Sequence, residues 1–181
     1  MNPAKIGGIK RVLVLISLMG LVLSASVLRA ADVYSMDTSF ALLLEDSASS
    51  KINVVVPAAD GGYFIGGGFT AVGSSARPFL AKLNADHTLA SSFSVVPGLN
   101  GPVTAMVVQS DGKLVVAGTF TQFGGVARLG VVRLNADGTL DTAFNPGAGF
   151  EWVGIGITSM VLQSDGKLVV GGTFSRYNGV L

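Results

Sequence analysis

Short apolar runs and polar turn residues alternate along most of the chain. Residues 103–109 are largely apolar, residues 110–113 read SDGK, and residues 114–118 are apolar again. Asp-Gly between two such runs predicts a tight two-residue hairpin, because both turn positions take positive φ. A second Asp-Gly turn separates the next two segments, residues 128–135 and 139–144. The pattern therefore predicts four short antiparallel strands and no helix in this stretch.

The same unit recurs along the chain. Residues 109–116 (QSDGKLVV) return unchanged as residues 163–170, 54 positions later, and LNAD at 83–86 returns 51 positions later at 134–137. Repetition at such a spacing is typical of propellers and arrays, in which each unit buries its faces against its neighbours. The second strand, residues 114–118, is apolar on both faces, so its sheet must be covered on both sides. These features predict blades of a β-propeller.

The repeat spacing defines the expected units. Two whole four-stranded blades are predicted at residues 52–93 and 103–144, an incomplete third at 157–181, and a lone fourth strand at 33–40. The chain is thus expected to be an all-β partial propeller of about 2.5 blades, whereas closed propellers hold roughly four to eight. It is expected to be part of a longer protein, preceded by a signal-peptide helix.

Two expectations about apolar side chains follow from this arrangement. Three phenylalanines at the repeat spacing should occupy equivalent buried positions: Phe69, Phe120 and Phe174. In the incomplete third unit, three apolar side chains should be exposed, because no further blade covers them: Val161, Leu168 and Val170.

The N-terminus has the pattern of an export signal. Residues 1–30 hold a basic start and an uncharged apolar stretch at 12–28, with small residues for cleavage after Ser26 or Ala30. We therefore expect a secreted or cell-surface protein, extracellular or periplasmic, whose propeller domain spans residues 31–181. An uncleaved membrane anchor is the alternative, since roughly 17 apolar residues can just span a bilayer.

Composition excludes several chemistries. The chain has no cysteine and one histidine, which removes disulfides, thiolate metal sites and cysteine nucleophiles, and disfavours histidine triads. Beyond the leader, eight basic groups face eleven acidic ones, a net charge of −3. We expect no cofactor, no metal and no nucleic-acid partner.

The repeated motifs resemble a known family. QSDGK, GTF, the glycine-rich loop TQFGGVAR, RLNADGTLD and TAFNPG are similar to the delta-60 repeat, a propeller-type repeat of large bacterial extracellular proteins. The resemblance extends from about residue 37 to residue 181 and is weakest at 58–62, where AADGG replaces QSDGK. It implies a non-catalytic binding or scaffold module. Kelch repeats, with a similar period, are a weaker match.

One binding candidate lies outside the repeat pattern. Glu151 and Trp152 lie in the predicted connection after the second blade, and Glu45 and Asp46 lie in the corresponding connection before the first. Both connections should emerge on one face, where a tryptophan beside carboxylates suits stacking on an extracellular carbohydrate or protein. Three alternatives remain: core packing by Trp152, a fragment of a secreted glycosidase- or lyase-like propeller enzyme, and a membrane-tethered structural repeat.

The remaining polar repeats are expected to be structural. Arg77 and Arg128 should pair with the turn aspartates Asp86 and Asp137. His87 replaces a turn glycine and should face solvent. Residues 135–141, which faintly resemble a calcium loop, are expected to form a turn because the distal glutamate of such a loop is lacking.

Overall fold

In a computed structural model, the structure describes residues 51–181. The leader, the predicted strand at 33–40, Glu45 and Asp46 lie outside the described residues. Residues 51–181 are all β, with short antiparallel strands and no helix. This part of the chain accordingly has no helix that could cross a membrane.

The described strands are numbered in chain order. They are β1 (Ile52–Pro57), β2 (Tyr63–Gly67), β3 (Ala71–Val72), β4 (Ser75–Ala76), β5 (Leu80–Leu83), β6 (Val103–Val108), β7 (Leu114–Gly118), β8 (Gln122–Phe123), β9 (Val126–Ala127), β10 (Val131–Leu134), β11 (Phe150–Leu162) and β12 (Leu168–Tyr177).

Each unit begins with the same hairpin. The pairs β1–β2, β6–β7 and β11–β12 are antiparallel, and Val103 lies opposite Gly118 just as Ile157 lies opposite Gly172. All three hairpins shift register shortly after this position. The Asp-Gly turn sets the register: Gly112 has φ +81° and donates its N–H to the Gln109 carbonyl at 3.0 Å. The hairpins form where they were predicted, but the predicted two-residue turn is wrong. The Gln109 N–H donates to the Lys113 carbonyl at 2.8 Å, which leaves a three-residue loop in which Gly112 has positive φ and Asp111 does not.

The two complete units have three strands each rather than the predicted four. β5 joins β2 and β10 joins β7, giving sheets in the orders β1-β2-β5 and β6-β7-β10. The fourth strand shrinks to one bridge, Leu140 opposite Leu134 and Leu89 opposite Leu83. In the second unit, the Asp141 carboxylate accepts the Ala143 N–H at 3.0 Å and so turns the chain directly after Leu140.

The glycine-rich loops are more ordered than the sequence pattern predicts. They form small two-stranded hairpins, β3–β4 and β8–β9, between the second and third strands of each unit. The connection between the first two units docks on the second of these hairpins, where the Asn100 carboxamide oxygen accepts the backbone N–H groups of Thr121 and Gln122.

Two hydrophobic cores lie between successive units. In the first core, Phe64 and Leu80 of the first sheet pack with Met106, Val116 and Val132 of the second. In the second core, Ala105, Val115 and Val131 from the opposite face of the second sheet pack against Ile157 and Met160 of the third unit. Adjacent β7 residues thus belong to different cores, as expected for a strand covered on both faces.

The third unit departs from the expected bounds. Its hairpin extends from Phe150 to Tyr177, beyond the predicted strands, and β12 runs straight through Phe174. Phe69 and Phe120 are fully buried after a bend at the end of the second strand, whereas Phe174 is partly buried within β12. It packs edge-on against Phe150, with ring centroids 5.0 Å apart. The predicted equivalence is confirmed for Phe69 and Phe120 and is wrong for Phe174.

Candidate functional site

Glu151 and Trp152 lie within strand β11 rather than in a connection. Pairing starts early because the Phe150 N–H donates to the Leu129 carbonyl at 3.0 Å, and the Asn178 N–H donates to the Gly149 carbonyl at 2.8 Å. The connection before β11 is also held in place, since the Ala148 N–H donates to the Asn178 side-chain oxygen at 2.9 Å. This segment therefore packs on the third unit.

The Trp152 indole is a partly buried member of the second core. A Cβ built on Gly130 would lie 2.8 Å from Trp152 Cζ3, and one on Gly156 would lie 3.3 Å from Trp152 Cγ. These close approaches correspond to the core-packing alternative. Glu151 is exposed and lies opposite Arg176 on β12. Because Glu45 and Asp46 lie outside the described residues, the carbohydrate or protein site formed by all four residues stays a prediction.

Asp86 and Asp137 stabilise the turns in which they lie. Asp137 accepts the N–H of Thr139 at 2.9 Å and its hydroxyl at 2.7 Å, and Asp86 does the same with Thr88. The threonine hydroxyl and then the backbone N–H lower the pKa of each carboxyl. These turns also match the expectation for residues 135–141.

The predicted pairing of Arg77 and Arg128 with these aspartates is wrong. Each guanidinium instead donates to the carbonyl of the residue before it, Ala76 or Ala127, at 2.9 and 2.8 Å. The carboxylates are already occupied by the turn threonines. His87 has φ +67° where its counterpart Gly138 has φ +90°, so it does replace a turn glycine, but it is partly buried.

Asp141 is the buried charged side chain among the described residues. It contacts Lys113 Nζ at 3.0 Å and Arg133 Nε at 2.8 Å. Lys113 first, with help from the Ala143 N–H and Arg133, lowers the pKa of this carboxyl to about 2. Arg133 also lies 4.9 Å from the Phe144 ring centroid. These contacts hold the third strand, β10, to the turn that begins at Asp141. The role of this network is therefore structural.

Residues 51–181 contain no group of three or more His, Cys, Asp or Glu side chains arranged to hold a metal ion. The described surface carries an exposed apolar patch instead. Val161 and Val169, directly opposite each other on β11 and β12, are 61% and 53% exposed. With the exposed Thr158 they form what we call the outer face of the third unit.

The outer face repeats a face that is buried elsewhere. By the 54-residue spacing, Val161 and Val169 correspond to Val107 and Val115, which pack against the third unit in the second core. The predicted exposure of Val161 is confirmed. It is wrong for Leu168 and Val170, which are partly buried because they point toward the second unit.

A repeated polar link joins successive units. The Asn53 side chain donates to the Val103 carbonyl at 2.7 Å, and Thr104, one repeat later, donates to the Ile157 carbonyl. Thr158 holds the same position in the third unit, where its hydroxyl donates to the Gly171 carbonyl at 3.3 Å. The outer face thus carries both the apolar pair and the polar group that join one unit to the next.

A known protein family matches this architecture. A family model described as "Domain of unknown function (DUF5122) beta-propeller" matches residues 58–93, 109–144 and 163–181. The chain belongs to this family. No curated protein and no solved structure matches it. In this DUF5122 propeller, each matched segment begins near the turn between the first and second strands of a unit.

The inter-unit link is the feature that sequence reasoning missed. The signal was present, since Asn53, Thr104 and Thr158 follow the 51- and 54-residue spacings. The residue type changes between units, however, and a single polar residue in an apolar strand is ordinarily interpreted as facing solvent. Only the stacking of units in the DUF5122 propeller identifies this position as part of an interface.

Proposed function

We propose that this DUF5122 propeller is a non-catalytic binding or scaffold module of the delta-60 type, exported by a bacterium to its surface or surroundings. Its working surface is the outer face of the third unit, which is suited to pack against a further β-unit of the same repeat. The observation that carries this proposal is the exposure of Val161 and Val169, whose counterparts Val107 and Val115 pack between units.

The energetics support docking at this face. Two opposed valines on a sheet form a dry cross-strand pair once covered. Fully burying an aliphatic side chain of this size contributes roughly 1.5–3 kcal/mol. Thr158 adds a hydroxyl that can bond to the covering unit, as Thr104 does to the third unit. An exposed apolar sheet face of this kind is typical of an interaction surface.

The polar side chains support a non-catalytic role. Asp141 is held by Lys113 and Arg133, and the turn aspartates are held by threonines. Glu151 is an exposed carboxylate facing a strand that carries Arg176. A glycosidase- or lyase-like mechanism needs a pair of carboxylates with separated roles, and this arrangement favours scaffolding over such chemistry.

Sedimentation equilibrium of purified residues 31–181, the predicted mature part of this sequence, tests the proposal. We expect reversible, concentration-dependent association that the double substitution Val161→Lys and Val169→Lys abolishes. Val126→Lys is the matched control, since Val126 is 44% exposed on the β8–β9 hairpin, away from the outer face. A protein that stays monomeric at every concentration, or associates equally well in both variants, would contradict the proposal.

A further inference from the structure

We propose that Arg128 is the centre of an anion-binding site at the loop end of the stacked units, and that its ligand is a carboxylated polysaccharide. The site is a different surface from the outer face, because it lies where the glycine-rich hairpins and the connections between units emerge. It goes beyond the scaffold role, and only the encounter with such a polymer outside the cell rests on the proposed export.

The strands of each unit run between two ends that differ in charge. The turn after the first strand and the turn after the third strand lie side by side, since a Cβ built on Gly112 would lie 3.8 Å from Ala136 and one on Gly61 would lie 3.7 Å from Ala85. We call this the turn end. The hairpins β3–β4 and β8–β9 follow the second strands and therefore lie at the opposite end, the loop end.

The ion pairs of residues 51–181 are gathered at the turn end. Each joins a lysine or an arginine to an aspartate of the same unit, at or near a turn. They are Lys82 with Asp60, Lys113 with Asp111 and Asp141, Arg133 with Asp141, and Lys167 with Asp165. The cations at the turn end are thus neutralised within their own units.

Two arginines at the loop end have no carboxylate partner among the described residues. Arg77 and Arg128 hold the same position in successive units, 51 residues apart. Each donates one amino N–H to the carbonyl of the preceding residue, and the Nε atom of each is buried without an acceptor. Each guanidinium is thus oriented by one hydrogen bond, while its partly buried charge stays uncompensated. An anion that bonds to such a group stabilises it strongly.

The loops around Arg128 supply no carboxylate. Residues 97–102 and 119–127 contain no acidic residue. They pack together at the loop end, because Gly124 donates its N–H to the Gly98 carbonyl at 2.8 Å. The charge of Arg128 therefore has no counterion in the loops of its own unit.

The carboxylates at the loop end belong to the neighbouring units. Glu151 of the third unit lies opposite Arg176 on β12, so a basic residue already faces it. Glu45 and Asp46, which lie outside the described residues, are predicted at this end beside the first unit. We therefore centre the site on Arg128 in the second unit.

The groups beside Arg128 favour a sugar polymer as the ligand. The carbonyl of the exposed Thr121 accepts the Arg128 N–H at 2.9 Å, and the exposed Gln122 pairs with Ala127, the residue before Arg128. A guanidinium binds a carboxylate through two parallel N–H bonds, and a hydroxyl and a carboxamide beside it can bond to sugar hydroxyls. Since stacked sheets lie about 10 Å apart, a polymer with carboxylates along its length can meet the arginines of successive units.

Calorimetric titration of purified residues 31–181 with polygalacturonate, at about 0.15 M salt, tests the inference. We expect saturable binding, and none to neutral dextran. Arg128→Gln should weaken binding roughly tenfold, the loss expected for hydrogen bonds between charged groups. Arg128→Lys should recover only part of the affinity, since an ammonium lacks the planar fork. Lys167→Gln is the matched control, because it removes one positive charge from an exposed residue at the turn end.

Three results would overturn the inference. They are no binding of polygalacturonate, equal losses in Arg128→Gln and Lys167→Gln, and polyglutamate bound as tightly as the polysaccharide, which would assign the site to an acidic peptide. Arg128→Lys keeps the charge and the packing of the side-chain stem, so it tests the site even if Arg128→Gln does not fold. Arg128→Gln should leave association through the outer face unchanged, so failure of this inference and failure of the proposed function are distinguishable.

Discussion

Equivalent backbone positions in the first and second units carry different residues. Phe79 in the first unit and Gly130 in the second, 51 residues apart, both have positive φ, at +69° and +74°. Phe79 supplies a side chain to the first core. Gly130 supplies none, and the Trp152 ring of the next unit occupies the adjacent space. Trp152 has no counterpart in the repeat because its ring fills the space that a side chain at position 130 would otherwise occupy.

Substitution of this glycine should be costly. Gly130→Ala combines an unfavourable positive φ with a contact of 2.8 Å to Trp152 Cζ3, so we expect a loss of about 2–5 kcal/mol in the free energy of unfolding. Gly112→Ala is the control: its φ is +81°, but the added Cβ would lie 3.8 Å from Ala136. That change should cost about 1–2 kcal/mol. Equal losses in urea unfolding would mean that Trp152 exerts no steric demand.

Asp141 should make stability depend on pH in acid. Its pKa falls from 3.8 to about 2 in the folded protein, chiefly through Lys113. A carboxyl with a lowered folded pKa contributes its stabilisation fully above the unfolded pKa. The contribution is therefore present above about pH 4 and is lost as the pH falls toward 2.

The variant Asp141→Asn tests this dependence. We expect it to lower the melting temperature at pH 7 and to flatten the decline of stability between pH 4 and pH 2. Glu151→Gln removes one negative charge from an exposed position and should change neither property appreciably. If Asp141→Asn retains the full decline in calorimetry, other carboxyls are responsible.

At the scale of elements, the sequence predicted the turns, which depend on adjacent residues, but not the strand ends, which depend on tertiary contacts. The positions of the hairpins were predicted because Asp-Gly marks a turn between two apolar runs, although the turn itself has three residues and positive φ at the glycine rather than at both positions. In the second unit, the Asp141 carboxylate bonds to the chain two residues ahead, directly after the one bridge that remains of the fourth strand. Likewise, β11 starts at Phe150 because Leu129, distant in sequence, accepts its N–H.

At the candidate site too, the sequence predicted some features, whereas others depend on tertiary contacts. The sequence singled out Trp152 correctly as a residue outside the repeat, but its role depends on a glycine 22 positions earlier. The exposure of Val161 followed from counting strands, whereas that of Val169 required knowing which face of β12 meets the second unit. Pattern alone assigned the two faces of this strand incorrectly because β12 is apolar on both.

Equivalent phenylalanines should differ in their contribution to stability. Phe120 is fully buried between the first and second sheets, so Phe120→Ala should cost about 3–5 kcal/mol. Phe174 is only partly buried in the third unit, and Phe174→Ala should cost about 1–2 kcal/mol, since part of the residue is already exposed. Chemical denaturation of the two variants measures both values. A Phe174 loss equal to that of Phe120 would mean that another surface covers the third unit in solution.

The described units stack in one direction. A unit offers one face to its predecessor and the other to its successor, and Asn53 and Thr104 each bond forward to the next first strand. Such head-to-tail contacts can continue wherever a complementary unit is available. The stabilisation of each unit therefore depends on its neighbours, and a partner bound to the third unit would stabilise the second through the shared core.

Export is the property of the whole molecule on which the scaffold role depends. Residues 1–30 predict a cleaved signal peptide, so the mature chain should begin near Val27 or Ala31. Leu18→Arg places a charge in the middle of the apolar stretch and should retain the precursor inside the cell, whereas Lys5→Arg preserves the basic start and should leave export intact. N-terminal sequencing of the fractionated protein distinguishes the outcomes. An intact Met1 in the membrane fraction would favour the anchor alternative, and the repeat would then act as a tethered surface module.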